Sequence, residues 1–233
     1  MKSLQGWFVT GTDTEIGKTT ISAGLLHALG RRGWRVAGYK PVAAGTQWRE
    51  GRRVNDDIER LRAASTEPLD AEEVCACLLD AACAPHVAAR QAGVSISLQA
   101  LLDGAQRLAG RVDRLIVEGV GGFLVPLDEQ HDTAELAVRL GLPVILVVGL
   151  RLGCLNHALL TAEAVRARGL RLAGWVGNAV DPRMPWRQDN VETLRLRLAR
   201  DFEAPCVGVV PPLSEPHAAA VAAHLDPSVL EPG

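Results

Sequence analysis

Gly11-Thr12-Asp13-Thr14-Glu15-Ile16-Gly17-Lys18-Thr19-Thr20 is the stretch on which the reading of this 233-residue chain turns. An apolar run from Trp7 to Thr10 leads into it and reads as a short strand. Behind it, Ile21, Leu25, Leu26 and Leu29 have helical spacing, so a helix is expected from Lys18 to Arg32, stopped by Gly33. A loop held between strand and helix can turn successive backbone N–H groups toward a phosphate chain, and the helix N-terminus adds a favourable dipole. Gly17 permits close backbone approach, Lys18 can reach β- and γ-phosphates, and the Thr19 hydroxyl can hold a magnesium ion. The usual spacing is G-x-x-x-x-G-K-[ST]. Here Gly11 lies one place early and Thr12 stands where glycine is expected, so the loop is a variant.

Outward from this loop, strand-like and helical stretches alternate. Further strands are expected at 34–39, 115–117, 144–148, 172–176 and 206–210. Helices are expected at 56–64, 85–91, 98–108 with Ser97 as cap, 133–140 with Asp132 as cap, 156–168, 185–200 and 216–224. Residues 66–84 have no clear period. Alternation of this kind calls for an α/β fold, a parallel sheet with helices on both faces, and several strands are continuously apolar as a doubly covered sheet requires. No composition break divides the chain, which is expected to form a single domain over 1–225, with a tail at 226–233 that carries Pro227 and Pro232 and frays.

Bulk properties narrow the function. Net charge is −2 and neither sign forms a long block, which argues against a nucleic-acid grip. The start of the chain has no apolar leader, and the most apolar later stretch, 144–150, is too short to span a bilayer, so a cytoplasmic protein without a membrane partner is expected. Five cysteines, an odd number at irregular spacing, suit reduced thiols. Cys75, Cys77, Cys83 and His86 lack the paired spacing of a zinc site and read as structural.

In parallel sheets of this kind ligands sit beyond the carboxyl ends of the strands. The polar signals of the sequence fall there. Lys40-Pro41 ends the second strand, and Glu118, after Leu115-Ile116-Val117, takes the place of a magnesium-holding acid, followed by Gly119, Val120, Gly121 and Gly122. Asp56 and Asp57 start a helix, where each can serve as a cap or, alternatively, face a metal ion. Asn156 and His157 follow Gly153-Cys154 at another helix start, a plausible carboxylate site; His157 and His86 read as cap or core residues.

Together these segments resemble the dethiobiotin synthetases, a family of P-loop NTPase type. The resemblance rests on GTDTEIGKT at 11–19, GYKPVAAG at 38–45, APHVAA at 84–89, VEGVGG at 117–122, PVILVVGLRLGCLNHALLTAEAV at 143–165 and LAGWVGN at 172–178. It implies ATP-dependent ligation: 7,8-diaminopelargonate takes up CO2 (or bicarbonate) as a carbamate, ATP phosphorylates it, and the second amine closes a ureido ring. Carried over by position, Thr14, Lys18 and Lys40 would meet the carbamate and γ-phosphate, and Thr19, Asp57 and Glu118 would serve Mg2+. Glu15, Ile16, Gly17, Thr20, Gly119, Val120 and Gly121 would contact nucleotide phosphates. Asn178, Ala179 and the turn Pro211-Pro212-Leu213 would face the base. Gly153, Cys154 and Asn156 would meet the substrate carboxylate across a homodimer. Two departures stand out. Ala44 occupies a place where many relatives have serine, removing a hydroxyl contact worth on the order of 1 kcal/mol. Ala179 follows Asn178 where an acid is frequent, which weakens the expectation of strict base selection. The related positioning ATPases carry an extra lysine early in the loop; here Thr12 to Glu15 fill that space.

Overall fold

The computed structural model describes residues 4–230. In chain order the elements are β1 (Gly6–Gly11), α1 (Lys18–Arg31), β2 (Val36–Tyr39), β3 (Val42–Ala44), β4 (Gln47–Arg49), β5 (Arg52–Val54), α2 (Asp56–Ala64), α3 (Ala71–Val74), β6 (Cys77–Leu79), α4 (Pro85–Ala92) and α5 (Leu98–Ala109). They continue with β7 (Arg114–Glu118), α6 (Thr133–Leu140), β8 (Val144–Gly149), α7 (Cys154–Ala167), β9 (Leu172–Asn178), α8 (Arg187–Phe202), β10 (Cys206–Val210), α9 (Ala218–Ala222) and a 3-10 turn at Pro227–Leu230.

A parallel sheet in the order β10-β9-β8-β1-β7-β2 forms the centre. All six residues of β8 are buried, as are the last five of β1. Helices cover both faces, which explains the unbroken apolar character of β8 and the apolar run Trp7 to Val9 of β1. One continuous core runs through the described residues, with Phe8, Tyr39 and Trp175 among its largest buried side chains. The Tyr39 hydroxyl is satisfied inside it by donating to Leu101 O at 2.7 Å. β1 lies between β8 and β7, so the loop that leaves β1 emerges at the middle of the carboxyl edge. The ends of β2 and β7 converge there too, because β7 is paired with both β1 and β2.

Local cap chemistry set several helix starts as expected. Ser97 accepts from Ala100 N, and Asp132 accepts from Glu135 N at 2.8 Å. Other boundaries moved. α7 opens at Cys154, two residues before Asn156, because Gly153 adopts φ 96° at the N-cap. α2 is capped by Asn55, whose side chain accepts from Asp57 N and Ile58 N, so neither Asp56 nor Asp57 caps it. The region 66–84 holds α3 and β6, and β6 pairs in parallel with β3 to make a small second sheet. β4 and β5 form a hairpin through Glu50 and Gly51, both at positive φ, as a tight two-residue turn requires. The tail is not wholly frayed: Pro227 and Leu230 are buried in the 3-10 turn, which packs beside β9 and β10. Residues 231–233 of that tail, and Met1 to Ser3, lie outside the described residues.

Candidate active site

The loop after β1 is shaped by two glycines. A side chain at Gly11 would come within 2.8 Å of Ile16 Cδ1 and 3.0 Å of Lys18 Cδ, so glycine here lets the loop fold back over the end of its own strand. Gly17 adopts φ 83°, a left-handed conformation that turns the chain into α1; Glu15 precedes it at φ 58°. Thr12 replaces the customary glycine without loss, since its hydroxyl accepts from Gly149 N at 3.3 Å and ties the loop to β8. Asp13 pairs with Arg151 from the β8–α7 connection. Asn178, at the end of β9, donates its side-chain N–H to Ile16 O at 2.8 Å and braces the loop from the far side.

Below this loop lies a cluster of charges in which Lys40 and Glu118 are buried and Asp57 is partly exposed. The Lys40 ammonium lies 2.5 Å from Glu118 Oε1 and 3.1 Å from Asp57 Oδ2, and it also donates to Gly119 O at 3.3 Å. The Thr19 hydroxyl donates to the same Glu118 oxygen at 2.7 Å. Burial by itself would lower the Lys40 pKa, but the charges of Glu118 and Asp57 and their hydrogen bonds outweigh it and raise the pKa, so Lys40 is firmly an ammonium. Burial likewise opposes ionisation of Asp57, yet the charges of Lys40 and Lys18 hold its pKa below the ordinary value. Lys18 differs. Desolvation and repulsion from Lys40 bring its pKa down to about 8, and its ammonium donates to Asp13 O at 2.7 Å.

A cavity of about 770 Å³ opens above this cluster. Thr14, Glu15, Gly17, Lys18, Thr19 and Thr20 line it from the loop side, Lys40, Ala44 and Asp57 from β2, β3 and α2, and Glu118, Val120 and Gly121 from the end of β7. Both lysines therefore face one space. Ile16 is buried beneath the loop and Gly119 lies behind Lys40, so neither side chain position opens on the cavity. Asn178 ends β9, Ala179 follows it, and Pro211, Pro212 and Leu213 follow β10; all five stay outside the lining. Gly153, Cys154 and Asn156 are also outside it: the Cys154 thiol is buried in the core, while Asn156 is exposed. His157 is exposed on α7 and is neither cap nor core; His86 keeps a buried Nδ1 without a protein partner.

Some lining residues escaped sequence reasoning. Ala82 to Pro85 form a wall of the cavity; Ala84 and Pro85 belong to the APHVAA segment, which gave a signal of resemblance but none of position. Arg60 lines the cavity from α2, and its only hint in sequence is the three-residue spacing from Asp57 on one helix face.

The donors available to a divalent cation are all oxygens: the Thr19 hydroxyl and the Asp57 and Glu118 carboxylates. Glu118 Oε2 is buried with no hydrogen-bond partner, an acceptor left over after Lys40 and Thr19 are counted. A hard cation such as Mg2+ suits this set. The cysteines offer no rival centre, since Cys75 is buried, Cys77 half-buried and Cys83 exposed, and among the described residues no group of three His, Cys, Asp or Glu side chains is placed to hold a metal.

Over 219 residues the chain is 58% identical to the ATP-dependent dethiobiotin synthetase BioD of Ralstonia nicotianae, covering 94% of each. This chain belongs to the dethiobiotin synthetase family. Residues 5–220 also match the AAA domain family. Among solved structures, a ParA family ATPase from Chlorobium tepidum superposes with a TM-score of 0.55 at 14% identity, covering 98% of this chain and 97% of that one. The MinD cell division protein of Aquifex aeolicus does so with 0.52 at 14% identity, covering 95% and 88%. At such identity these two show the P-loop NTPase fold and nothing finer. Membership of the synthetase family rests on the BioD match, and it gathers the loop, Lys40 and Glu118 into one frame.

Proposed function

We infer that this chain is a ligase, an ATP-dependent dethiobiotin synthetase that converts 7,8-diaminopelargonate, CO2 and ATP to dethiobiotin, ADP and phosphate. The observation that carries the reading is the pair of lysines, Lys18 and Lys40, lining one cavity beside a phosphate-binding loop. Two anions must lie side by side in this reaction, the carbamate of the substrate and the γ-phosphate, and each gains from a fixed cation in a site that excludes most water.

The roles follow from the surroundings. The loop N–H groups from Glu15 to Thr20 and the Lys18 ammonium hold the phosphates. Thr14 and Lys40 hold the carbamate, so that its oxygen meets the γ-phosphorus in line with the departing ADP oxygen. The second amine then attacks the carbamoyl carbon, the C–O bond to phosphate breaks, and the ring nitrogen loses its proton. Thr19, Asp57 and Glu118 would hold Mg2+, which would supply neutralisation of phosphate charge. Lys40 bridges Asp57 and Glu118 with its own ammonium, so the two acids are already set to surround a cation.

Gly153, Cys154 and Asn156 are the proposed site for the substrate's carboxylate tail, at the open start of α7. They stand outside the cavity of their own protomer, so the tail of a bound substrate would be met by a second copy, and a homodimer is proposed. Leu152, 89% exposed, and Leu160, 61% exposed, give that region apolar surface for such a contact. Asn178 and the 211–213 turn are proposed to face the base. Among the described residues no helix is long and apolar enough to cross a membrane, and the reaction is proposed to run in the cytoplasm.

Purified protein given 7,8-diaminopelargonate, bicarbonate and Mg-ATP is expected to produce dethiobiotin and ADP in equal amounts. ATP turnover that ignores the diamine refutes the reading.

A further inference from the structure

We propose that Arg60 is a further nucleotide-binding residue, a third cation of the phosphate cradle that takes non-bridging oxygens of the phosphates lying over the first turn of α1. The proposal rests on the phosphate-loop reading and adds a residue that neither the loop pattern nor the strand ends supply.

Four observations converge on it. α2 presents Asp57 and Arg60 three residues apart, hence on one face, and both side chains line the cavity. Arg60 Nη1 lies 3.3 Å from the Thr20 hydroxyl, so the guanidinium is drawn across to the first turn of α1. Among the described residues no carboxylate sits within ion-pair distance of Arg60. Its neighbours are matched: Arg62 pairs with Glu59 and donates to Leu69 O, Arg49 pairs with Asp56, and Arg53 pairs with Asp80. Finally, α1 begins with no side-chain cap and no acid in its first turn. Its orphan N–H groups and positive dipole end therefore face the same space as Arg60, Lys18 and Lys40.

That last point carries the physical weight. A guanidinium beside a helix N-terminus and two ammonium groups is placed against its own electrostatic interest. The Thr20 hydroxyl offers a single neutral acceptor, which satisfies one of five N–H donors. A polyanion on the loop reverses the sign of the local field and gives the planar fork a partner it fits, since guanidinium groups bind phosphate oxygens in pairs. Asp57, on the same helix face, lies on the metal side with Lys40, so α2 would deliver one group to the cation and one to the anion of a bound metal–nucleotide complex.

The test is ADP binding by calorimetry, at fixed ionic strength, to the full chain and to Arg60→Lys, Arg60→Ala, Arg60→Glu and Lys18→Gln. Arg60 is exposed, and each variant is checked for an unchanged melting curve. Arg60→Ala is expected to weaken ADP about five- to tenfold, the size of one charged hydrogen-bond contact at an open site. Arg60→Lys should lose less than Arg60→Ala, and Arg60→Glu more, while KM for the diamine stays within twofold. Equal losses for all three replacements would point to packing and overturn the proposal. Full affinity in Arg60→Ala and Arg60→Glu, with a clear loss in Lys18→Gln, would show a solvated arginine and also overturn it. If Lys18→Gln binds ADP as tightly as the parent, or the parent binds none, the phosphate-loop reading itself falls and takes Arg60 with it.

Discussion

Replacing Lys40 by methionine removes the cation lodged between Asp57 and Glu118, and the structure sets the size of the consequence. The Glu118 side chain is 0% exposed and that of Lys40 5%, whereas Asp57 is 41% exposed. Water screens the Asp57 share, so the cost is set by Glu118. Breaking a buried pair by removing one partner costs about 3–5 kcal/mol, because the other charge stays buried and uncompensated. Two features pull the figure to the lower end: the Thr19 hydroxyl still donates to Glu118 at 2.7 Å, and Lys18 still feels its charge. A loss of about 3 kcal/mol is therefore expected, a large part of the 5–15 kcal/mol typical of a folded domain, roughly. Glu118→Gln strands Lys40 less completely, since Asp57 remains at 3.1 Å, and should cost about 1–2 kcal/mol. The double variant should then be more stable than Lys40→Met alone. The assay is urea unfolding of the free protein at pH 7, read from the midpoint at constant slope. A loss below about 1 kcal/mol in Lys40→Met, or strict additivity in the double variant, refutes the reasoning. Turnover should slow as well, since Lys40 is the proposed carbamate ligand, and burial of the pair adds a measurable loss of stability to that effect.

Two more perturbations test the loop. Lys18 titrates near 8 in the free protein, against 10.5 when unfolded. Below about pH 8 both states are protonated and the folded state carries the full burden of a buried ammonium. Between about 8 and 10.5 the folded state sheds its proton first, so this group's contribution to stability rises with pH across that window, by up to roughly 3 kcal/mol. In the proposed role Lys18 holds ADP phosphate through its ammonium, so ADP affinity should fall above pH 8 with a slope approaching tenfold per unit, and proton uptake on binding, measured in buffers of different ionisation enthalpy, should appear over the same range. A flat affinity from pH 7 to 9.5 contradicts the assignment. Gly11→Ala places a methyl group 2.8 Å from Ile16 Cδ1 and 3.0 Å from Lys18 Cδ, both movable side-chain atoms. Stability should drop by only about 1 kcal/mol while ADP affinity falls about tenfold, because Lys18 must give way; unaltered ADP binding would show that Gly11 does not set the position of Lys18.

Much of the architecture was legible along the chain because its causes are local. Apolar runs at Trp7, Leu115 and Val144 and the helical period after Lys18 act over a few residues, and Ser97 and Asp132 cap within one turn. Placing Lys40 and Glu118 at strand ends then sufficed to put them on one edge, since parallel strands share the direction in which they end. The sequence by itself thus determined a doubly covered parallel sheet, a phosphate loop at its edge, and the family to which the chain belongs. Only the folded chain decided that Lys40 bridges Asp57 and Glu118, that Asn55 caps α2 and leaves Asp57 free to face the cavity, that Asn178 braces the loop, and that Arg60 reaches Thr20. The same holds for the pairing of β3 with β6 and the docking of the 3-10 turn. The physical reason is common to all of them: burial and the distance between charges depend on which remote segments close on one another, and no periodicity within a single element records that closure.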